Sequence, residues 1–241
     1  MSQFHDTAKA RFGGWSTSAK LPPGVRDPSV KAADYAYQYL KELIVTLQIA
    51  PQTIITETEV AAATGVSRTP VREAFFRLQA EKLLDLLPRR GASVPAISLR
   101  NIQEQAQTRL VLEGYGIEQI CENKIPVADE LTRLVNEQTG VLESDPDKIV
   151  EMVLIDKEFH WTLVKAMGNT EFAQLYNSLH DRQVRIGIAM FGAVSRRPCD
   201  AVNEHARIAE ALADFDREEA LRRLEYHLIG SLKQISGIFT N

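Results

Sequence analysis

Residues 57–82, ETEVAAATGVSRTPVREAFFRLQAEK, leave this chain few ways to fold. Thr56 followed by Glu59 is a capping box that opens a short helix. Gly65 closes that helix, because glycine enters the left-handed region without steric penalty. Ser67 caps the next helix, and Pro70 falls in its first turn, where the missing N–H leaves no bond unmade. Two helices joined by so tight a turn meet at a steep angle, one bracing and the next presenting its N-terminus. Such an N-terminus is suited to the major groove of duplex DNA.

The flanking sequence completes the unit. Between Val30 and Gln48, apolar residues recur at helical spacing (Tyr35, Leu40, Leu43, Ile44, Leu47), so a helix precedes the pair. Ala50-Pro51 stops it, since the residue before proline is pushed out of the helical region. Ile54 and Ile55 can add a short extended piece, and the third helix runs to about Lys82. Two apolar segments then flank Pro88-Arg89-Arg90-Gly91, a hairpin turn with two cations at its tip. Residues 28–97 therefore read as a winged helix-turn-helix, and residues 1–27, rich in Gly, Ser, Thr and Pro, as a flexible arm, a plain disordered tail in preference to one whose few cations touch DNA backbone.

From Ser98 onward the periodicity is helical. The expected helices span 100–122, 127–143, 147–167, 170–192, 199–213 and 217–238, separated by breaks at Pro126, Pro146, Gly168-Asn169, Pro198 and Asp214-Asp216. The fold class is mainly α: an N-terminal winged helix-turn-helix plus a C-terminal antiparallel all-α bundle over 98–241. Charge divides the same way. Residues 26–100 hold ten Lys/Arg against eight Asp/Glu, whereas 101–241 hold fifteen against twenty-three. The basic surplus lies with the DNA-reading candidate, and the acidic remainder repels phosphate. Two cysteines, Cys121 and Cys199, make no disulfide framework; they are expected as small buried hydrophobes in a reducing cytoplasm. No segment has the ~20 apolar residues of a membrane span.

Arg68 and Arg72 are four apart, on one face of the third helix, and either can fork onto a guanine. Ser67 and Thr69 suit phosphate or base contacts, Arg77 lies two turns further along and suits backbone, and Arg89, Arg90 and Gly91 place the wing tip at the minor groove. The competing expectation for any single arginine is solvation with Glu73 as partner. GVSRTPVREAFFRLQAEKLL followed by PRRGASV resembles the DNA-binding domain of the GntR superfamily of bacterial transcription regulators, over about residues 35–97. Its usual Pro-Gly after the first helix is here Pro51-Gln52, and its usual Glu-Gly late in the third is Glu81-Lys82. Thr58 stands where relatives often carry a base-contacting residue.

In the second domain Asp156 and His160 share one helical face, while His205 and His227 lie on two further helices. Three imidazoles and one carboxylate form a set able to hold zinc, nickel or another divalent transition metal. Each histidine taken alone is equally a core or surface residue with an ordinary hydrogen bond. The series D-x-x-x-H, Gly168-Asn169, Glu204-His205 and His227 resembles the FCD effector-binding domain of the FadR-like GntR subfamily, over about residues 104–232. That resemblance implies a metal on Asp156, His160, His205 and His227, zinc first among the ions. Arg109 and Glu113 resemble the Arg-x-x-x-Glu that opens this domain. Arg109 either clamps an effector carboxylate beside the ion or pairs internally with Glu113. Arg182 and Arg185 are further candidates for that pocket, and Trp161, Met190 and Phe191 for its lining.

The implied protein is a cytoplasmic homodimer that binds double-stranded operator DNA, as a repressor, under the control of a small carboxylate metabolite held at the metal site. Its linker is expected around Ser98–Asn101. The alternatives are a metal-dependent hydrolase, for which no dedicated general base stands beside the ligands, and a DNA-binding protein whose metal is purely structural.

Overall fold

The computed structural model describes residues 21–230 and residue 232 of the 241. Most of the expected arm and residues 231 and 233–238 of the expected last helix lie outside the described residues. The described chain forms two compact units, with the break between Ile97 and Ser98.

The first unit runs α1 (Ala32–Val45), β1 (Ile54–Ile55), α2 (Glu57–Thr64), α3 (Arg68–Ala80), β2 (Asp85–Leu87) and β3 (Gly91–Ser93). α3 packs against both α1 and α2. Their apolar stripes bury Leu40, Ile44, Val60, Val71, Ala74 and Leu78 completely, together with Leu83, Leu84 and Val94 from the wing. Thr56 and Glu59 form the reciprocal capping box, and Gly65 closes α2 at φ 69°. Ser67 sits at the N-cap position in extended backbone, but its side chain makes no capping bond, which corrects the expectation from its residue type. The sheet is antiparallel in the order β1-β3-β2, with Ile55 opposite Ala92 and Leu87 opposite Gly91. Gly91 has φ 100°, and a Cβ there would collide with the Ile55 carbonyl oxygen, so wing pairing requires glycine.

α3 ends at Ala80, ahead of the expected Lys82, in a Schellman motif. Leu83 N–H donates to Leu78 O and Lys82 N–H to Gln79 O, both at 2.9 Å. That geometry places Lys82 in the left-handed region at φ 60°, and Gln52 lies there too, at φ 66°. These are the two positions where the GntR pattern has glycine. A residue with a Cβ costs about 1–2 kcal/mol in this conformation. Lys82→Gly is therefore expected to raise the free energy of unfolding by about 0.5–1 kcal/mol after glycine's larger chain entropy is deducted. Denaturant melts compare the two proteins; a loss of stability would contradict the strain.

The second unit is helical: α4 (Leu99–Asn123), α5 (Ala128–Ser144), α6 (Ile149–Lys165), α7 (Thr170–Asn177), α8 (His180–Ala193), α9 (Arg197–Ala213) and α10 (Arg217–Glu225), followed by a π-helical turn at Tyr226–Gly230. α6 is its centre and packs against α4, α5, α7 and α8; α9 lies on α5, and α10 on α4 and α9. Ser98–Asn101, expected as a linker, is instead the capped first turn of α4. The helix expected over 170–192 is two helices. At Ser178-Leu179 the backbone begins to tighten: Ser178 N–H is shared between Gln174 O at 3.0 Å and Leu175 O at 3.2 Å, Leu179 N–H bonds Tyr176 O, and the Ser178 hydroxyl bonds Leu175 O as well. The expected last helix loses α-geometry at Tyr226. Cys121 is half-buried and Cys199 exposed, so neither is the core residue expected; Cys199 faces outward from the first turn of α9 while Arg197 and Pro198 turn inward.

Candidate metal centre and DNA-reading surface

Asp156 and His160 project from α6, His205 from α9, and His227 from the π-turn after α10. Their candidate ligand atoms all lie within 4.8 Å of one another. His160 Nε2 is 3.1 Å from His227 Nε2 and 3.2 Å from His205 Nε2. Asp156 Oδ1 is 3.5 Å from His205 Nε2. Ligands held 2.0–2.2 Å from one ion would be about 3.3–3.6 Å apart in a tetrahedron and about 2.8–3.1 Å apart at adjacent octahedral positions. The observed spacings of 3.1, 3.2 and 3.5 Å lie in or near these ranges.

The opposite ring nitrogens explain why Nε2 faces inward. Each Nδ1 has an oxygen to donate to: His160 Nδ1 to Glu113 Oε2 at 2.7 Å, His205 Nδ1 to Gln138 Oε1 at 2.8 Å, and His227 Nδ1 to Glu204 Oε2 at 2.7 Å. Gln138 turns its amide nitrogen to Met152 O, which leaves its oxygen for His205. These acceptors favour the tautomer in which each Nε2 carries a lone pair, and at His227 the Arg197 Nη2 group also approaches Nδ1, at 3.4 Å. Burial, followed by the neighbouring imidazoles and the charges of Arg197 and Arg109, holds His205 and His227 well below the usual histidine range, so both rings stay neutral as ligands must. Phe159 stacks on His205 with ring centroids 4.2 Å apart and fixes that ring from the side.

Glu113 organises this shell. It is completely buried and accepts from Arg109 Nε, the Tyr176 hydroxyl and His160 Nδ1, each at 2.7 Å. The i, i+4 pair of Arg109 and Glu113 thus exists, and Arg109 also borders a cavity. That cavity, about 70 Å³, offers several times the room one water needs. Asp156, His227, Gln183, Met190 and Phe191 line it as well, and so does Arg197. Arg197 is buried, bonds Glu204 Oε2 at 2.8 Å through Nη1, and has a buried Nε with no hydrogen-bond partner among the described residues. Sequence reasoning missed Arg197 because it read the residue as a helix break. Arg182 and Arg185 lie on α8 outside the cavity lining. Trp161 stacks on Tyr176 and belongs to the core around Leu112, Val164 and Leu179.

The DNA-reading candidates fare unevenly. Arg68, Arg72, Thr58, Arg89, Arg90 and Gly91 border one concavity between the start of α3 and the wing. Ser67 and Thr69 are exposed at the α3 N-terminus. Arg77 instead bonds Asp34 of α1 at 2.7 Å and lies over the Tyr37 ring, 3.9 Å from its centroid, so it braces α1 against α3. The partner of Arg72 is Glu57 rather than Glu73: Nε and Nη2 meet its two oxygens at 2.7 and 2.8 Å. Arg68 Nη2 donates to Thr58 Oγ1 at 2.7 Å.

Burial by itself would raise the Glu113 carboxyl, but Arg109 and then His160 outweigh it and hold it at about 2, against an ordinary 4.5. The folded value is depressed, so the associated stability, roughly 3 kcal/mol, is present above pH 4.5 and lost as pH falls towards 2. The stability difference between the wild type and Glu113→Gln is expected to be largest above pH 5 and to shrink steadily to pH 2. Urea melts across that range check it, and a pH-independent difference would contradict the assignment.

Comparison with known proteins agrees with this architecture. The family described as "Bacterial regulatory proteins, gntR family" matches residues 32–94, and the "FCD domain" family matches residues 104–230. The chain is 32% identical over 146 residues to the gluconate operon transcriptional repressor of Bacillus subtilis, covering 60% of this chain and 58% of that one. It is 26% identical over 204 residues to the HTH-type transcriptional repressor RspR of Escherichia coli, covering 84% and 88%. The solved structure of E. coli McbR/YncC shares the fold with a TM-score of 0.65 at 21% identity, covering 85% of this chain and 98% of that one. Among the described residues no helix is long and apolar enough to cross a membrane. The chain belongs to the gntR family of bacterial regulatory proteins and carries a C-terminal FCD domain, which makes it a DNA-binding transcriptional regulator and not an enzyme.

Proposed function

We propose that this regulator is a metal-dependent, acid-responsive repressor acting as a homodimer in the bacterial cytoplasm. Asp156, His160, His205 and His227 hold a divalent transition ion, zinc first by donor set. The observation that carries this reading is the convergence of three Nε2 atoms whose Nδ1 partners fix all three lone pairs inward. Three such lone pairs repel one another unless a cation lies between them.

The effector is a small carboxylate. Asp156, Arg109 and Arg197 line the same cavity, so an ion held by Asp156 would share that space with two guanidinium groups. Held by Asp156 and the three histidines, an ion would supply a Lewis-acid site for one carboxylate oxygen, and Arg109 and Arg197 would bind the remaining negative charge. A hydroxy or sugar acid is the first class to test, because a relative is named as the repressor of a gluconate operon. Ser67, Arg68, Thr69, Arg72, Arg89, Arg90, Gly91 and Thr58 form the DNA-facing surface, with Arg68 as the guanine-reading side chain. The acid acts by binding one arrangement of the two DNA-binding domains in the dimer more tightly than another, since only differential affinity shifts such an equilibrium. Repression is the assigned direction because the named relatives are repressors.

Metal content, melting temperature and DNA affinity measured on the full chain test this reading together. The wild type is expected to carry one ion per chain and to respond to gluconate or another hydroxy acid only before chelation. His205→Ala is expected to lose the ion and the response together. A normal acid response from metal-free His205→Ala would reject the link, and a metal-loaded protein that no organic acid affects would leave the ion a purely structural part.

A further inference from the structure

The first turn of α2 holds both arginines that the reading helix presents, and it holds them in different ways. Glu57 clamps Arg72 side-on with two charge-assisted bonds of 2.7 and 2.8 Å. Thr58, the next residue, holds Arg68 with one neutral bond of 2.7 Å. Both contacts cross from one helix to the other within the concavity that also carries the wing-tip arginines. Arg72 is 61% exposed and Glu57 23%, so the pair faces solvent on the surface assigned to DNA. An ion pair so exposed contributes little to folding stability. Its effect falls on whatever approaches the surface.

We propose that Glu57 is a specificity-determining residue: by neutralising and orienting Arg72, it removes most of that arginine's sequence-independent attraction for phosphate, and it leaves Arg68, which bonds a neutral hydroxyl and not the carboxylate, as the stronger reading charge. Sequence-independent binding grows with the number of phosphates a protein neutralises, each adding about 0.9 to the salt slope. A carboxylate at contact distance cancels the charge of Arg72 at the range of the phosphate backbone. It does not remove the arginine's remaining N–H groups, which still bond a partner placed where the clamp points them. Out of register, the carboxylate meets phosphate and repels it. On matched DNA the fixed guanidinium makes its bond without the ordering cost of a free side chain. Both consequences widen the gap between right and wrong sites. Thr58 completes the division, since a hydroxyl directs Arg68 without cancelling its charge.

This inference rests on α3 being the groove-reading helix, and the test separates the two. Full-length wild type, Glu57→Gln and Arg68→Ala are titrated with a duplex selected in vitro from a random pool by the wild type and with a scrambled duplex, from 0.05 to 0.3 M KCl. Glu57→Gln is expected to bind the scrambled duplex about threefold to tenfold more tightly at low salt, with a salt slope steeper by about 0.9. The ratio of selected to scrambled affinity is expected to fall, and the melting temperature to stay unchanged. An equal gain on both duplexes, or wild-type slope and affinity on the scrambled one, overturns the proposal. Arg68→Ala is expected to lose selection for the chosen duplex. If it does and Glu57→Gln behaves as wild type, only the role of Glu57 falls; if Arg68→Ala binds as wild type, the groove assignment and the role of Glu57 fall together.

Discussion

A carboxylate sealed from water has to be neutralised by its neighbours, and Glu113 is sealed completely. It meets that requirement with three donors from three helices: Arg109 one turn earlier on α4, His160 on α6 and the Tyr176 hydroxyl on α7. Losing any of them leaves a charge or a polar atom stranded in the core, where the cost is greatest. The same three bonds set the direction of the His160 ring and, through it, the face on which His205 and His227 converge. Gln138 on α5 and Glu204 on α9 repeat the device for the other two rings. The second unit is built around an inward-facing set of nitrogens, each fixed by an acceptor behind it.

The two units solve different electrostatic problems. Around the histidine cluster of the helical unit the charges are buried and closely spaced, and geometry decides what can enter. In the winged unit they are exposed, and salt and competing charges decide what binds. The first turn of α2 links local folding to that second problem. A capping box at Thr56 and Glu59 starts the helix, and the start of the helix places Glu57 and Thr58 against the arginines of α3. A change in the capping sequence would therefore be felt at the reading surface as well as in the stability of a short helix.

Local chemistry made much of this legible from sequence. The capping box, the left-handed Gly65 and the turn at Pro88–Gly91 act within a few residues, so the winged helix-turn-helix could be read directly. The four metal-ligand candidates were found because Asp156 and His160 share a helical face and because the whole series resembles a known pattern. What escaped depends on contacts distant in sequence or on backbone adjustments that no residue type announces. The break at Ser178-Leu179 contains neither glycine nor proline. The π-turn that carries His227 lies inside a regular helical pattern. Arg77 reads as a surface cation until Asp34 and Tyr37 of α1 are seen beneath it. Arg197 looks like part of a proline break, yet it turns inward with Glu204. Glu204 and Gln138 carried no sequence signal as supports for histidine, since polar residues on amphipathic helices are ordinarily solvated.

What the three inward nitrogens hold is read by X-ray absorption at the metal edge of the zinc-loaded full-length protein. The predicted shell contains three imidazole nitrogens and at least one oxygen at about 2.0–2.2 Å, with no sulfur. A shell dominated by water oxygen, or one containing a thiolate, would place the ion away from Asp156, His160, His205 and His227.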